Sequence, residues 1–226
     1  MGVRPFSSLR SPEVDPARVL VVPIGSVEQH GPHLPLNTDT VIAEALAAAL
    51  CDDVDGFVLG PTVGIGASGE HAGFPGTLSI GTEVLSNILV ELVYSARGSC
   101  AAVYVVNGHG GNAAAIHRAA ATLEASGDRF GVGRVVDDGD AHAGHAETSL
   151  ILHLAPHLVG SERPVGRTEP LATLLPELQR HGMAAVSPSG VLGDATTASA
   201  ADGLRRFEAM RGRLATAAQT WREEWR

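Results

Sequence analysis

The amino-acid sequence predicts an α/β fold, a three-layer α/β/α arrangement in which helices cover both faces of a mostly parallel sheet. One observation is that short β-branched runs alternate four times with longer helical patterns, which is typical of parallel sheets. The other is size, because a chain of 226 residues with 44% hydrophobic residues can bury a substantial core. We therefore expect a single domain over residues 1–226.

Each element is predicted from its own local pattern. Strands are runs of β-branched residues that end at a glycine or a polar loop, and helices carry apolar residues at intervals of three and four. Thr38 or Asp39 is expected to cap the first helix and Thr82 the second, with Gly98 just past the end of the second. In the first half of the chain we expect a strand over 18–24, a helix to residue 50, a strand over 57–63, a glycine-rich loop over 64–76, an extended piece over 78–80 and a helix to residue 96. After these we expect a strand over 102–106, a turn over 107–112, a helix over 113–125, a strand over 131–137 and a helix over 146–154.

The last third of the chain has a less regular pattern. Residues 160–200 are rich in Pro, Gly, Ser and Thr and show weak periodicity, so we expect a long excursion or lid there. An amphipathic helix is expected after it, and its apolar stripe should pack on the domain or on a neighbouring subunit. The stripe consists of Leu204, Phe207, Met210, Leu214, Trp221 and Trp225.

Composition excludes several classes of function. The formal net charge of −9 gives no basic face for phosphates, which argues against nucleic acid as a partner. Cys51 and Cys100 are the only two cysteines, and they form no disulfide framework. Residues 1–18 lack the apolar core of a signal peptide, and no apolar run is long enough to span a membrane. We therefore expect a cytoplasmic protein.

Histidines follow the predicted strands at four separate places. They are His30 and His33, His71, His109, and the pair His142 and His145. In an open parallel sheet the loops after the carboxyl ends of the strands share one edge, where ligands bind. Four segments are therefore expected to bring metal-competent side chains to one site.

The residue types around these histidines favour a transition metal. Glu28 and His30 are two residues apart, so in an extended segment their side chains point to the same side. Asp39 follows at the first turn of a helix, and His109 stands between glycines that allow close approach. Imidazole with carboxylate suits Zn, Mn, Fe or Co better than Ca or Mg. Glu147 lies in a first helical turn, where the helix dipole favours a carboxylate even without a metal.

The glycine pattern over residues 64–69 matches the G-x-G-x-x-G of dinucleotide sites. We reject that interpretation because the pattern requires a helix to open at once, whereas HAGFPGT with Pro75 follows here. The loop is instead expected to form a wall of the pocket. Ser68, Glu70 and His71 would then be available to the substrate.

Four segments together resemble the creatininase family of metal-dependent amidohydrolases. They are residues 23–39 (PIGSVEQHGPHLPLNTD), 68–80 (SGEHAGFPGTLSI), 107–112 (NGHGGN) and 142–149 (HAGHAETS). The resemblance implies a homo-oligomer and two divalent metal ions, Zn, Fe or Mn, bridged by an aspartate. In this sequence Glu28 and His109 would hold one ion and His30 the other, with Asp39 between them.

One position departs from the creatininase pattern. Creatininase itself has a glutamate two residues after the histidine of the NGH turn, and this chain has Gly111 there. The resemblance implies that Glu147 replaces that ligand, as in other branches of the family. His142 matches the catalytic histidine, and His145 is expected to join the residues that contact substrate.

The departure at Gly111 and the aromatic content of 4% move the expected substrate away from creatinine. The chain looks most like a branch of peptidases that release a C-terminal Val-Tyr dipeptide from a modified precursor peptide. A hydroxide held between two cations would attack the amide carbonyl, while His142 passes a proton to the leaving nitrogen. Two alternatives stay open, an amidohydrolase acting on a small cyclic amide or formamide, and a non-catalytic metal-binding scaffold protein.

Overall fold

A four-stranded parallel sheet forms the centre of the computed structural model, which describes residues 4–135 and 139–224. The strands are β1 (Val19–Ile24), β2 (Phe57–Leu59), β3 (Ala102–Asn107) and β4 (Phe130–Arg134). Their spatial order is β2-β1-β3-β4, and each neighbouring pair is parallel. Strands β1 and β3 pair along their whole length, from Val19↔Ala102 to Ile24↔Asn107.

Helices cover both faces of this sheet. They are α1 (Thr38–Asp53), α2 (Gly81–Ala96), α3 (Ala113–Ala125), α4 (His145–Leu154), α5 (Leu171–His181), α6 (Met183–Val186) and α7 (Ala200–Glu223). Residues on one face of β1 and β3, such as Val21 and Tyr104, pack with α1, α4 and α7. Their neighbours on the opposite face, such as Val22 and Val105, pack with α2 and α3, because successive side chains of a strand point to opposite sides. These two cores confirm the three-layer α/β/α prediction.

Most predicted elements are present, although some of their ends differ. The expected N-terminal caps are wrong, because α1 follows Asn37 and α2 follows Ile80, whereas Gly98 does lie just past the end of α2. Thr38, Asp39 and Thr82 therefore lie inside the first turns.

The second strand is shorter than expected. It ends at Leu59, before Pro61, which has no N–H to donate to a neighbouring strand. Val63 forms only an isolated bridge, with Ile24. The expected end of the fourth strand, residues 136–137, lies outside the described residues.

The segment over residues 160–200 contains two helices that the sequence analysis did not predict, α5 and α6. They share a small core of Leu174, Met183, Val186 and Leu192. The leucines of α5 recur at helical spacing, and the helix forms although Pro176 lies within it. The segment is therefore a folded unit with its own packing.

Helix α7 packs its apolar stripe on the domain. Phe207, Met210 and Leu214 belong to the core shared with α1 and α4, and the Trp221 ring lies 5.1 Å from that of Tyr104. Leu204 is 46% exposed and does not join this core, and Trp225 lies outside the described residues. No helix in the described part of the chain is long and apolar enough to cross a membrane.

Candidate metal centre

The strand order creates a crevice at the carboxyl edge of the sheet. Strand β1 leads through α1 to β2 on one side of it, whereas β3 leads through α3 to β4 on the other. At such a switch point the loops diverge and leave room for a ligand. Glu28 and His30 follow β1 here, His109 follows β3, and His142 and Glu147 reach the same edge from the segment after β4.

Asp39 lies at the centre of the buried cluster and is 2% exposed. Its Oδ1 atom is 3.2 Å from His30 Nε2, and its Oδ2 atom is 3.1 Å from His109 Nδ1. The Ser26 hydroxyl donates to Oδ2 at 2.8 Å. Each carboxylate oxygen therefore faces a different histidine.

Glu28 is fully buried, and among the described residues neither of its carboxylate oxygens has a partner with hydrogen-bond geometry. Its nearest neighbours are His109 Nε2, 3.1 Å from Oε2, and His71 Nε2, 3.3 Å from Oε1. Burial, and then the charge of Asp39, raise the pKa of Glu28 to about 7. These imidazole contacts offset only part of the cost of burying a carboxylate, and a cation would offset more of it, so these residues fit a metal ion.

Two groups of potential ligands share Asp39, and in each group the ligand atoms lie within 4.8 Å of one another. One group adds Glu28 and His109, and the other adds His30 and Glu147. All five side chains that the sequence analysis expected to hold metal are thus brought together. A third group joins His142 to Glu28 and His30, so His142 is also within reach of a cation.

Without a bound cation, protonated histidines offset the negative charge of the carboxylates. Burial lowers the pKa of His30, but Asp39, Glu147 and Glu28 outweigh it and raise that pKa to about 9. Burial also opposes the charge on His109, yet hydrogen bonds with Asp39 and Glu70 hold its pKa well above the usual value. Metal ligands must be deprotonated, so binding of cations would displace these protons.

A tight turn positions Glu147 and His142. The Glu147 Oε2 atom accepts from the Ala143 N–H at 2.6 Å and lies 3.9 Å from His30 Nε2. Ala143 has φ of 52°, a left-handed conformation that costs an alanine about 1–2 kcal/mol. Asp140 accepts from the backbone N–H groups of His145 and Ala146, which holds the start of α4.

The backbone and side chain of Gln29 fix the orientation of two histidine rings. Its carbonyl oxygen is 2.9 Å from His142 Nε2, and its amide nitrogen is 2.9 Å from His71 Nδ1 and 3.1 Å from Gly190 O. We assign the protons from this network, with His142 Nε2–H donating to Gln29 O and the amide donating to His71 Nδ1. His142 Nδ1 is then an acceptor, 3.9 Å from Glu28 Oε1.

Burial, reinforced by the charges of His30 and His71, lowers the pKa of His142 well below the usual value. The ring is therefore neutral at pH 7. That charge state agrees with Nδ1 as an acceptor facing the cluster.

The expected substrate-binding residues do not all line the cavity in front of the cluster. Glu70 and His71 line the cavity in front of the cluster. Ser68 is fully buried, with Oγ 3.4 Å from His109 Nε2, and contacts that histidine instead of the cavity. His145 is not brought to the site, because its ring nitrogens are each 2.8 Å from oxygens of Thr197 and Asp202. We therefore remove His145 from the substrate-binding residues.

The cavity in front of the cluster has a volume of about 670 Å³. Besides the cluster, it is lined by the glycines of the turn after β3 and by apolar side chains that the sequence analysis missed. The spacing of the leucines in LATLLPEL over residues 171–178 was the signal that would have found some of them. The missed apolar residues are Leu171, Leu175, Leu178, Met183 and Leu192.

Comparison with known proteins gives consistent matches along the chain. A family model described as creatininase, creatinine amidohydrolase, matches residues 7–218. A protein of Mycolicibacterium smegmatis named "Mycofactocin precursor peptide peptidase" is 48% identical over 214 residues, covering 91% of this chain and 86% of that protein. A creatinine amidohydrolase of Pseudomonas putida is 27% identical, covering 80% of this chain and 81% of that protein.

Solved structures agree with the fold. One described as "Creatininase Mn" has a TM-score of 0.78 and 25% identity, and the match covers 95% of this chain and 97% of that one. A crystal structure of creatinine amidohydrolase has a TM-score of 0.73 and 25% identity, and the match covers 88% of both chains.

Proposed function

Because the chain belongs to the creatininase family and is an amide-bond hydrolase, we propose that it releases the C-terminal Val-Tyr dipeptide from a modified mycofactocin precursor peptide. Within the family, the identity of 48% to a mycofactocin precursor peptide peptidase against 27% to a creatinine amidohydrolase supports a peptide substrate. We also propose that the chain acts as a single domain in a homo-oligomer.

The observation that carries the proposal is the cavity beside the cluster. Its volume of about 670 Å³ lies within the range of roughly 300–1,000 Å³ that holds drug-sized ligands, and a dipeptide segment is of that size. One part of the lining carries carboxylates and imidazoles, and another part is mainly apolar. A peptide with apolar side chains next to the scissile amide matches both parts.

We propose that the cluster holds two divalent cations, for which Zn, Fe and Mn are all suitable with these ligands. Glu28 and His109 would hold one, His30 and Glu147 the other, and Asp39 would contact both. The unpartnered oxygens of Glu28 and the two faces of Asp39 support this division. When bound, such cations polarise a carbonyl and lower the pKa of water.

His142 is the proposed proton carrier. Its ring is neutral and buried, and the Gln29 carbonyl holds Nε2–H, so the Nδ1 atom is left to accept a proton on the side of the cluster. His142 would take up a proton there from the attacking water and deliver it to the leaving nitrogen as the C–N bond of the amide breaks. Proton transfer of this kind contributes about 10²–10⁴-fold to the rate.

Two variants test the assignment of roles, with elemental analysis and cleavage of the modified precursor peptide as readouts. We expect His142→Ala to keep its metal and lose about 10²–10⁴-fold in turnover, and Asp39→Ala to lose at least one cation. His117→Ala and Asp52→Ala, at exposed positions, serve as matched controls and should behave as the wild type. Loss of metal in His142→Ala would make that residue a ligand, and a fully loaded, active Asp39→Ala would refute the bridging role.

A small cyclic amide is the second candidate substrate. The description of the family model and the Pseudomonas putida relative favour it. Mass spectrometry of the products from the precursor peptide and from creatinine distinguishes the two. Turnover of creatinine without release of Val-Tyr would favour this candidate.

A further inference from the structure

We propose that the apolar wall, formed by Leu171, Leu175, Leu178, Met183 and Leu192, binds an apolar side chain of the peptide segment that is released. This inference rests on the proposed peptidase function and names the residues that would select its substrate. The cluster cannot supply that selectivity, because its side chains are carboxylates and imidazoles. The selectivity must therefore come from the rest of the cavity.

The leucines of α5 present apolar surface to the cavity and to water. Leu171, Leu175 and Leu178 are spaced by four and three residues, which places them on one face of the helix. Leu171 is 44% exposed and Leu175 is 38% exposed, and both line the cavity. An apolar ligand group placed against them would remove this surface from water, which is favourable in proportion to the apolar area buried.

The wall is held in a fixed position by its own core. Leu174, on the neighbouring face of α5, packs with Met183, Val186 and Leu192, and each of these four is at most 2% exposed. Met183 and Leu192 line the cavity as well. A ligand therefore meets a surface that is already formed, and little ordering cost is added on binding.

The corner between α5 and α6 lies directly against the loop of the cluster. Gly182 forms this corner with φ of 77°, and a β-carbon placed on it would lie 3.1 Å from Glu70 O. Glu70 is followed by His71, and both line the same cavity as the leucines. One ligand can thus present an amide to the cluster and a side chain to the wall.

The chemistry of the wall specifies its ligand. Among the described residues of α5 and α6 that line the cavity, only Gln179 is polar, and the ionisable groups of the cavity belong to the cluster side. A charged side chain placed against the leucines would lose its hydration without gaining a partner. An aliphatic or aromatic side chain has no charge whose hydration would be lost, so the wall selects apolar residues.

The test measures binding of two dipeptides, Val-Tyr and Gly-Gly, to the metal-loaded protein by isothermal titration calorimetry. Leu175→Ala and Leu171→Ala are compared with the wild type and with Leu204→Ala, a leucine on α7 that is 46% exposed and outside the cavity. Loss of packing in an apolar pocket changes affinity by about ten-fold or more. We expect Val-Tyr to bind about ten-fold more weakly to the two cavity variants, and equally well to the wild type and to Leu204→Ala.

Gly-Gly should bind equally to all four proteins, because it has no side chain to reach the wall. Equal binding of Val-Tyr by all four would overturn the inference. If size-exclusion chromatography showed instead that Leu175→Ala and Leu171→Ala change only the oligomeric state, the wall would be an interface between copies of the chain. Selective binding without cleavage of the precursor peptide would refute the proposed reaction but leave the ligand class of the wall in place.

Discussion

Replacing Gln29 with leucine should destabilise the protein, because the side chain of this glutamine connects three loops around the cluster. Gln29 is 5% exposed. Its amide nitrogen donates to His71 Nδ1 at 2.9 Å and to Gly190 O at 3.1 Å, and its oxygen accepts from Gly31 N–H at 2.9 Å. Leucine has a similar volume, so the substitution removes hydrogen bonds without creating a large cavity.

The magnitude follows from the acceptors that are left without a donor. His71 Nδ1 and Gly190 O are both buried, and an unsatisfied buried acceptor costs about 1–3 kcal/mol. Two of them together give a loss of about 2–6 kcal/mol in the free energy of unfolding. That is a large part of the 5–15 kcal/mol typical of a folded domain.

Urea denaturation of the metal-free protein measures this loss, with Gln219→Leu on the exposed face of α7 as the matched control. The control should change the unfolding free energy by less than about 0.5 kcal/mol. The ¹⁵N chemical shifts of the His71 ring give a second readout, because Nδ1 loses the donor that fixes it as an acceptor. A Gln29→Leu protein as stable as the control, with unchanged ring shifts, would refute this reasoning.

Two further predictions concern the cluster itself. A β-carbon at Gly111 would collide with the His109 ring and the Glu70 carboxylate and would lie 2.6 Å from the Ala67 carbonyl oxygen, so Gly111→Ala should cost about 1–3 kcal/mol and weaken metal binding in a zinc titration. The raised pKa values of His30 and His109 mean that both are protonated at pH 7 without metal. The pKa values of Glu28 and Glu147, raised to about 7, leave each carboxyl about half protonated, so binding should release about three protons. Calorimetry in two buffers of different ionisation enthalpy measures that release, and an identical heat in both would contradict it.

The convergence of the metal-competent residues was predictable from the sequence for a simple physical reason. Parallel strands place the loops at their carboxyl ends on one edge, and each of these loops could be identified from the apolar run before it. Glu28, His30 and Asp39 needed only the first strand and helix. Glu147 needed more, because its position depends on the left-handed turn at Ala143, which no local pattern indicates.

The role of Gln29 could not be predicted, because its partners are remote in the chain. The partners of its side chain, His71 and Gly190, lie 42 and 161 residues away, and His142, the partner of its backbone carbonyl, lies 113 residues away. A glutamine beside a metal-ligand motif has the same local sequence whether its amide meets these partners or water. The packing of three loops decides the outcome, and that packing is a tertiary property.

The apolar wall was missed for a different reason. Its leucines have helical spacing, but Pro176 interrupts the pattern and Gly182 ends the helix after 11 residues. Even with the helix predicted, the sequence does not show which leucines are buried. Leu174 is 1% exposed and its neighbour Leu175 is 38% exposed, because Leu174 packs into the small core with α6 whereas Leu175 faces the cavity.

The two walls of the cavity come from different parts of the chain, and this makes reaction and selectivity separable. The proposed ligands lie on the loops and first helical turns that follow the strands of the sheet, whereas the leucines of α5 lie on a helix with its own small core. Changes at Leu175 can therefore alter which side chain is bound without moving Asp39 or His109. Conversely, the space that a side chain at position 111 would need is already filled by Glu70 and His109. The glycine at this position therefore affects the cluster and does not change the apolar wall. The proposed selection of an apolar side chain can thus be altered on α5 while the proposed metal ligands stay in place.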